Sequence, residues 1–242
     1  MPKQLKKYEF KRKVFRNLPS VILIKFKMMK EAIIVPNIKQ LRANAKELCD
    51  IAIKEGASNA KTIRADQVIV DERVLLKCRY PPCLWYGQCL MCPPFTPSPQ
   101  EFSRYLQKYR YAVIVQYKFP YPDELAKKTN NDDLTLPDLF REMGHRLEYS
   151  IDTAWKDLQK IISTIEREAF NRGYYFATGL VATSCRLCEK CNPNMPCRHP
   201  FEARPSMEAV GIDVYSTTKS AGLEATFEPR DKITLTGLVL LD

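Results

Sequence analysis

The sequence predicts a single compact α/β domain in which a mixed sheet with flanking helices carries two cysteine-rich metal loops at strand ends. Three observations lead there. From Asn37 onward, stretches with helical apolar spacing alternate with β-branched runs. No low-complexity linker and no internal repeat beyond the two cysteine loops interrupts that pattern. Each cysteine quartet also follows a run that reads as a strand, and strand ends are where α/β folds place their sites. Residues 1–30 read as a basic N-terminal arm and residues 31–242 as the metal-binding domain.

Taken in order, Asn37 after Pro36 is a helix N-cap signal. Ile38, Leu41, Ala45, Leu48, Ala52 and Ile53 then recur at helical spacing until Gly56. Cys49 on this helix reads as a small buried side chain, because no partner thiol is near it in sequence. Val68 to Val70 and Val74 to Leu76 flank Asp71-Glu72-Arg73 and suggest a hairpin or meander whose second strand delivers Cys78. Pro93, Pro94 and Pro97 stiffen the exit from the first quartet, and Ser98-Pro99-Gln100-Glu101 forms a capping box with proline at the first helical position. That helix carries Phe102, Tyr105, Leu106 and Tyr109 on one side, and Tyr111 to Tyr117 reads as a buried strand. Apolar residues from about Pro137 to Arg172 fit one long helix, or two joined near Gly144, closing at Gly173. Tyr174 to Thr183 is a strand running into Cys185, and Ile233 to Leu241 is the last strand.

Of the nine cysteines, eight form two quartets. Cys78, Cys83, Cys89 and Cys92 are spaced C-x4-C-x5-C-x2-C, and Cys185, Cys188, Cys191 and Cys197 are spaced C-x2-C-x2-C-x5-C. One tetrahedral zinc, with bonds of about 2.3 Å, draws its four sulfurs to roughly 3.8 Å from one another. Three donors from one short loop crowd so small an ion. A cubane instead attaches its thiolates to separate irons, so a chain can hand it Cys185, Cys188 and Cys191 in succession. The leading reading is one or two [4Fe-4S] clusters and the alternative is zinc. The first quartet, with its single C-x2-C knuckle, suits either. Each quartet is expected to hold its own centre, with a swap of the last members, Cys92 and Cys197, left open because two-cluster ferredoxins make one.

Arg79, Arg186, Lys190, Arg198 and Arg204 lie among the ligands, where cations offset the negative charge of a thiolate cluster or serve as ordinary surface charge. Pro205 just inside a short helix start would aim backbone N–H groups at the cluster. His199 reads as structural beside four cysteines, and His145 has no evident metal partner. There is no phosphate-loop lysine motif and no dinucleotide glycine fingerprint, which argues against nucleotide chemistry.

The net charge of +10 resides in the arm, since residues 1–30 hold ten Lys or Arg against Glu9 alone. A nucleic acid or anionic surface would therefore be met by that arm and by no other part of the chain. The arm also reads as a solvated extension, and Met28 and Met29, just before Glu31-Ala32-Ile33, offer an alternative start. The sparse cysteine usage of a chain long enough for its own core fits reducing, cytoplasmic conditions. The longest early apolar run, Val21 to Ile24, is too short for a membrane span.

The run KCRYPPCLWYGQCLMCPPFTPSP, followed at a distance by CRLCEKCNPNMPCRHPFEARPSMEAVGIDV, resembles an uncharacterised prokaryotic family of predicted metal-binding proteins. That family is a domain of unknown function found notably in archaea and anaerobes. The resemblance covers roughly residues 37 to 242 and implies that the eight quartet cysteines are metal ligands. It supplies no reaction. In order of elements alone, the chain is also similar to iron-sulfur reductases acting on corrinoids or modified nucleosides. The expected function is single-electron transfer, as a carrier or as the electron-donating part of a reductase, with a redox partner protein. The alternatives are a zinc-stapled structural module and a nucleic-acid-binding module.

Overall fold

The long, almost uninterrupted apolar run from Tyr111 is explained by where it lies in the fold. In the computed structural model, which describes residues 38–120, 136–225 and 232–242, it forms an inner strand of a four-stranded sheet covered on both faces. The arm, the expected cap at Asn37 and the side chain of His145 lie outside the described residues.

Helix α1 (Ile38–Lys54) leads to strand β1 (Asn59–Arg64), the short helix α2 (Leu76–Arg79), α3 (Pro99–Leu106) and β2 (Tyr111–Pro120). The long helix α4 (Leu136–Asn171), β3 (Thr178–Leu180), α5 (Val214–Ser220) and β4 (Lys232–Leu241) follow. Sheet order is β1-β2-β4-β3. One face packs on α1 and α4 through Leu48, Val113, Trp155, Leu158, Ile162, Ile165 and Val239. The other packs on α3 and the segment before α5 through Ile63, Phe102, Leu106, Ile114, Met207, Ile212 and Leu238. Burial on both faces removes the need for polar alternation.

The α/β class and the single domain stand, but the expected mixed sheet is antiparallel at all three pairings. The reason is the path of the long connections. Arg64 at the end of β1 pairs with Tyr111 at the start of β2, and Ala65 N donates to Arg110 O at 3.0 Å. The whole excursion 65–110 thus returns to the point where it left the sheet, and β2 must run back antiparallel.

Several elements keep their expected positions. Ser98 accepts a hydrogen bond from Glu101 N with Pro99 at the start of α3, as the capping signal requires. Helix α4 runs through Gly144 as one element. On α1, Ala45, Leu48 and Ala52 are buried, whereas Ile53 is about half exposed. Tyr105 on α3 is likewise exposed, its hydroxyl donating to Glu101.

Three expectations are corrected. The hairpin expected over 68–76 is absent: Asp71 caps a 3-10 turn, Glu72–Leu75, by accepting from Arg73 N, and the chain continues into α2. Cys78 therefore sits on a helical turn, so only the second quartet follows a strand end. Local side-chain capping by Asp71 outcompetes the β-branched propensity of its neighbours. The strand expected over 174–183 shortens to Thr178–Leu180, extended only by a parallel bridge between Val181 and Ser206. The helix expected after Pro205 is a 3-10 turn, Glu208–Val210, whose Ala209 N–H is taken by Ser206 Oγ at 3.1 Å, so that N–H is not aimed at the cysteines.

Candidate metal centre

The second cysteine loop is held by its base and by α4. Val181 N donates to Pro205 O at 3.0 Å and Met207 N to Val181 O at 2.9 Å, closing the chain around residues 182–204. Glu166 of α4 then grips both sides of the loop, accepting from Gly179 N at 2.7 Å before it and from Arg204 Nε at 2.9 Å after it. That approach requires glycine, because a Cβ at position 179 would lie 2.5 Å from Ile162 Cγ2 and 2.9 Å from Glu166 Cδ. Gln159 Nε2 donates to Glu202 O at 2.7 Å, and Arg186 pairs with Asp152. Arg186 and Arg204 thus dock the loop onto the helix, and Arg198 donates to Lys190 O at 2.6 Å.

The first cysteine loop is built from tight turns. Cys83 N donates to Cys78 O and Cys92 N to Cys89 O, both at 2.9 Å, and the chain reverses at Gly87, whose φ of 66° is in the left-handed region. Peptide bonds before Pro81 and Pro94 are cis.

The two loops meet around one small cavity. It is lined by Cys89 from the first loop and by Cys185, Cys188, Cys191 and Cys197 from the second, with Trp85, Leu187, His199 and Ala203. Backbone N–H groups point at the sulfurs. Leu90 N donates to Cys191 Sγ at 3.5 Å and His199 N to Cys197 Sγ at 3.4 Å. Leu187 N–H is directed at Cys185, and the N–H groups of Met91 and Cys185 at Cys89. A sulfur that receives N–H bonds from the second residue onward, as Cys89, Cys185 and Cys197 do, is oriented and stabilised as a thiolate.

Burial raises the Cys185 thiol to about 11, and burial likewise raises Cys191. Cys89 behaves differently: a hydrogen bond from Cys92, aided by the backbone donors, brings it down to about 6. Cys92 moves the opposite way because it keeps the shared proton and lies in a buried site. The charges of Cys78 and Cys83 raise Cys92 further, after its hydrogen bond to Cys89 and its burial. Cys49 stands apart, buried against Ala45 O and Thr62 Oγ1. Among the described residues, no three His, Cys, Asp or Glu side chains form a ready-made single-ion site. The donor chemistry, with many thiols on one cavity and N–H groups directed at their sulfurs, fits a thiolate-bound cluster.

A second, larger cleft of about 720 Å³ is lined in part by Cys78. Its lining includes Lys77, Thr183, Glu208, Ile212, Thr218 and Leu235. Glu208 Oε2 and Thr218 Oγ1 are buried there without hydrogen-bond partners, and burial raises the Glu208 carboxyl. Thr183, a β-branched residue, adopts a φ of 57°. Sequence reasoning missed this cleft. Glu208 and Thr218 have no distinguishing spacing, and the only local signal is the proximity of RPSMEA to the second quartet.

A family model described as "Predicted metal-binding protein (DUF2284)" matches residues 61–241. No curated protein and no solved structure matches the chain. No described helix is long and apolar enough to cross a membrane.

Proposed function

The chain belongs to the DUF2284 family of predicted metal-binding proteins, and from that premise we propose that it carries iron-sulfur centres on the two cysteine loops and passes single electrons to or from a redox partner. The observation that supports this most is the ring of thiols from both loops around one cavity, with backbone N–H groups directed at their sulfurs. Cys78, Cys83, Cys89, Cys92, Cys185, Cys188, Cys191 and Cys197 would be the ligands. A bound cluster supplies reversible one-electron chemistry.

The chain's own contribution is threefold. The N–H groups of Leu90, Leu187 and His199 stabilise negative sulfur and set its orientation. Trp85, Leu187 and Ala203 help exclude water from the cavity. Glu166, Gln159 and Asp152 hold the second loop on the rigid helix α4, so its ligands keep their spacing. Exposed apolar side chains, Tyr80, Leu84, Phe95, Met195 and Phe201, lie on and beside the two loops, where a partner protein would dock.

The test is metal analysis of protein purified without oxygen. Iron with acid-labile sulfide and broad absorbance near about 400 nm is the expected result. Stoichiometric zinc with neither iron nor sulfide would instead establish the zinc-stapled reading, for which the Cys89–Cys92 knuckle is the supporting feature.

A further inference from the structure

The large cleft collects side chains from distant parts of the chain: Val74 and Lys77 ahead of Cys78, Glu208 and Ile212 after the second cysteine loop, Thr218 of α5 and Leu235 of β4. Two of its groups are left over by the fold. Thr218 is 2% exposed, and among the described residues its Oγ1 has no hydrogen-bond partner. Ser206 hydrogen-bonds the Glu208 carboxyl, yet Oε2 of that side chain is buried and likewise unpartnered. Buried polar atoms are nearly always satisfied, so two orphans on one cleft call for a group that the chain itself does not supply. One bridging water needs only about 10–15 Å³, whereas this cleft offers about 720 Å³, the size of a small-molecule site. Thr183 in the same wall has a φ of 57°, and backbone of that kind collects at ligand sites.

The charged groups of the lining already have partners. Asp71 pairs with Arg73 and Glu224 with Lys118, Asp213 accepts from Ser216 N and Oγ as the cap of α5, and the charge of Lys77 acts on Glu208. A charged ligand would therefore leave water without an unanswered counter-charge to receive it, which is costly. What the cleft has to spare is hydrogen-bonding capacity at Glu208 and Thr218 and an apolar wall. We propose that the cleft is a binding site for an uncharged organic molecule that turns amide or hydroxyl groups to Glu208 and Thr218 and an apolar flank to Val74, Ile212, Val214 and Leu235. Cys78 shares the wall, so a molecule seated there lies against the first cysteine loop. Binding depends on the cleft's own side chains and not on which metal the cysteines hold.

The experiment titrates the full chain, purified anaerobically, with three probes of one size and different charge, benzamide, benzoate and benzylammonium, and follows binding by ligand-observed saturation-transfer NMR. Benzamide should bind with a dissociation constant on the order of 1 mM, as suits so small a ligand, and the two charged probes at least about tenfold more weakly. Thr218→Val should weaken benzamide roughly fivefold, the loss of one hydrogen bond. The same change should leave metal content unaltered and the melting temperature unchanged or higher, because the hydroxyl it removes has no partner in the fold. Thr234→Trp, which puts a large ring into the cleft, should abolish benzamide binding. The proposal is overturned if benzamide does not bind, if either charged probe binds as tightly as benzamide, or if Thr218→Val leaves benzamide affinity unchanged. If Thr218→Val does not fold, Thr234→Trp decides: loss of benzamide binding supports the site, and unchanged binding overturns it. Iron and sulfide analysis of the same samples keeps the two readings apart, since benzamide failing to bind iron-loaded protein defeats only the cleft site, and benzamide binding to a zinc-only protein upholds the site while the iron-sulfur reading falls.

Discussion

Glu166→Gln is expected to loosen the second cysteine loop without disturbing the sheet. The carboxylate accepts from Gly179 N at 2.7 Å and from Arg204 Nε at 2.9 Å, so one side chain fastens the chain on both sides of Cys185–Cys197. Glutamine can still accept from Gly179, but its amide N–H₂ then confronts Arg204, donor against donor. The Glu166 and Arg204 side chains are 11% and 22% exposed, which places the pair between a surface ion pair of at most ~1 kcal/mol and a buried one whose disruption costs about 3–5 kcal/mol. Both contacts to Arg204 come from the same Nε, so they count as one charge-assisted bond, and Arg204 keeps its bonds to Ala203 O and Phe201 O. The cost works out at about 2 kcal/mol, roughly a 30-fold change in the unfolding equilibrium. Urea denaturation of the metal-free chain measures it, and chelator-driven metal loss from the loaded chain should accelerate in the same variant. A shift under ~0.5 kcal/mol together with unchanged metal retention would refute the clamp.

Three further outcomes follow from other parts of the molecule. Cys49→Ala should cost only about 1 kcal/mol and leave metal content unchanged, because Cys49 is buried on α1 and Thr62 Oγ1 keeps its bond to Ala45 O; loss of metal on that change would place it in the site. Tyr117 and Tyr174 should ionise late in an alkaline absorbance titration at 295 nm, both pushed up to about 12, Tyr117 first by its hydrogen bond to Asp157 and Tyr174 first by burial. Because the fold favours the neutral phenols, their contribution to stability is full below the ordinary value of 10.0 and is lost as pH rises through about 12, and Tyr117→Phe should remove one late-titrating group. Deleting residues 1–28 should leave metal content intact, since α1 and both cysteine loops are retained; metal loss or aggregation on truncation would make the arm part of the domain.

The sequence alone determined what local chemistry can encode. The Ser98 cap with Pro99, the helical spacing of α4 and the β-branched run of β2 each act over a few residues, and each element formed where those signals stood. Strand β1 was illegible because Asn59–Arg64 has only one buried side chain, Ile63, and draws its register from β2 rather than from its own pattern. The strand expected at 68–76 failed for the complementary reason, a short-range cap by Asp71 that propensity does not register. The thiol inventory of the candidate centre could likewise be read from spacing. Which cysteines face one another could not, because Cys89 and Cys185 are brought together by two excursions that each return to the sheet near their own departure points, 65–110 beside β1 and 181–206 beside β3. Glu166, Glu208 and Thr218 lie far apart along the chain, and their relation to the cysteines exists only once the sheet, α4 and the two loops have packed.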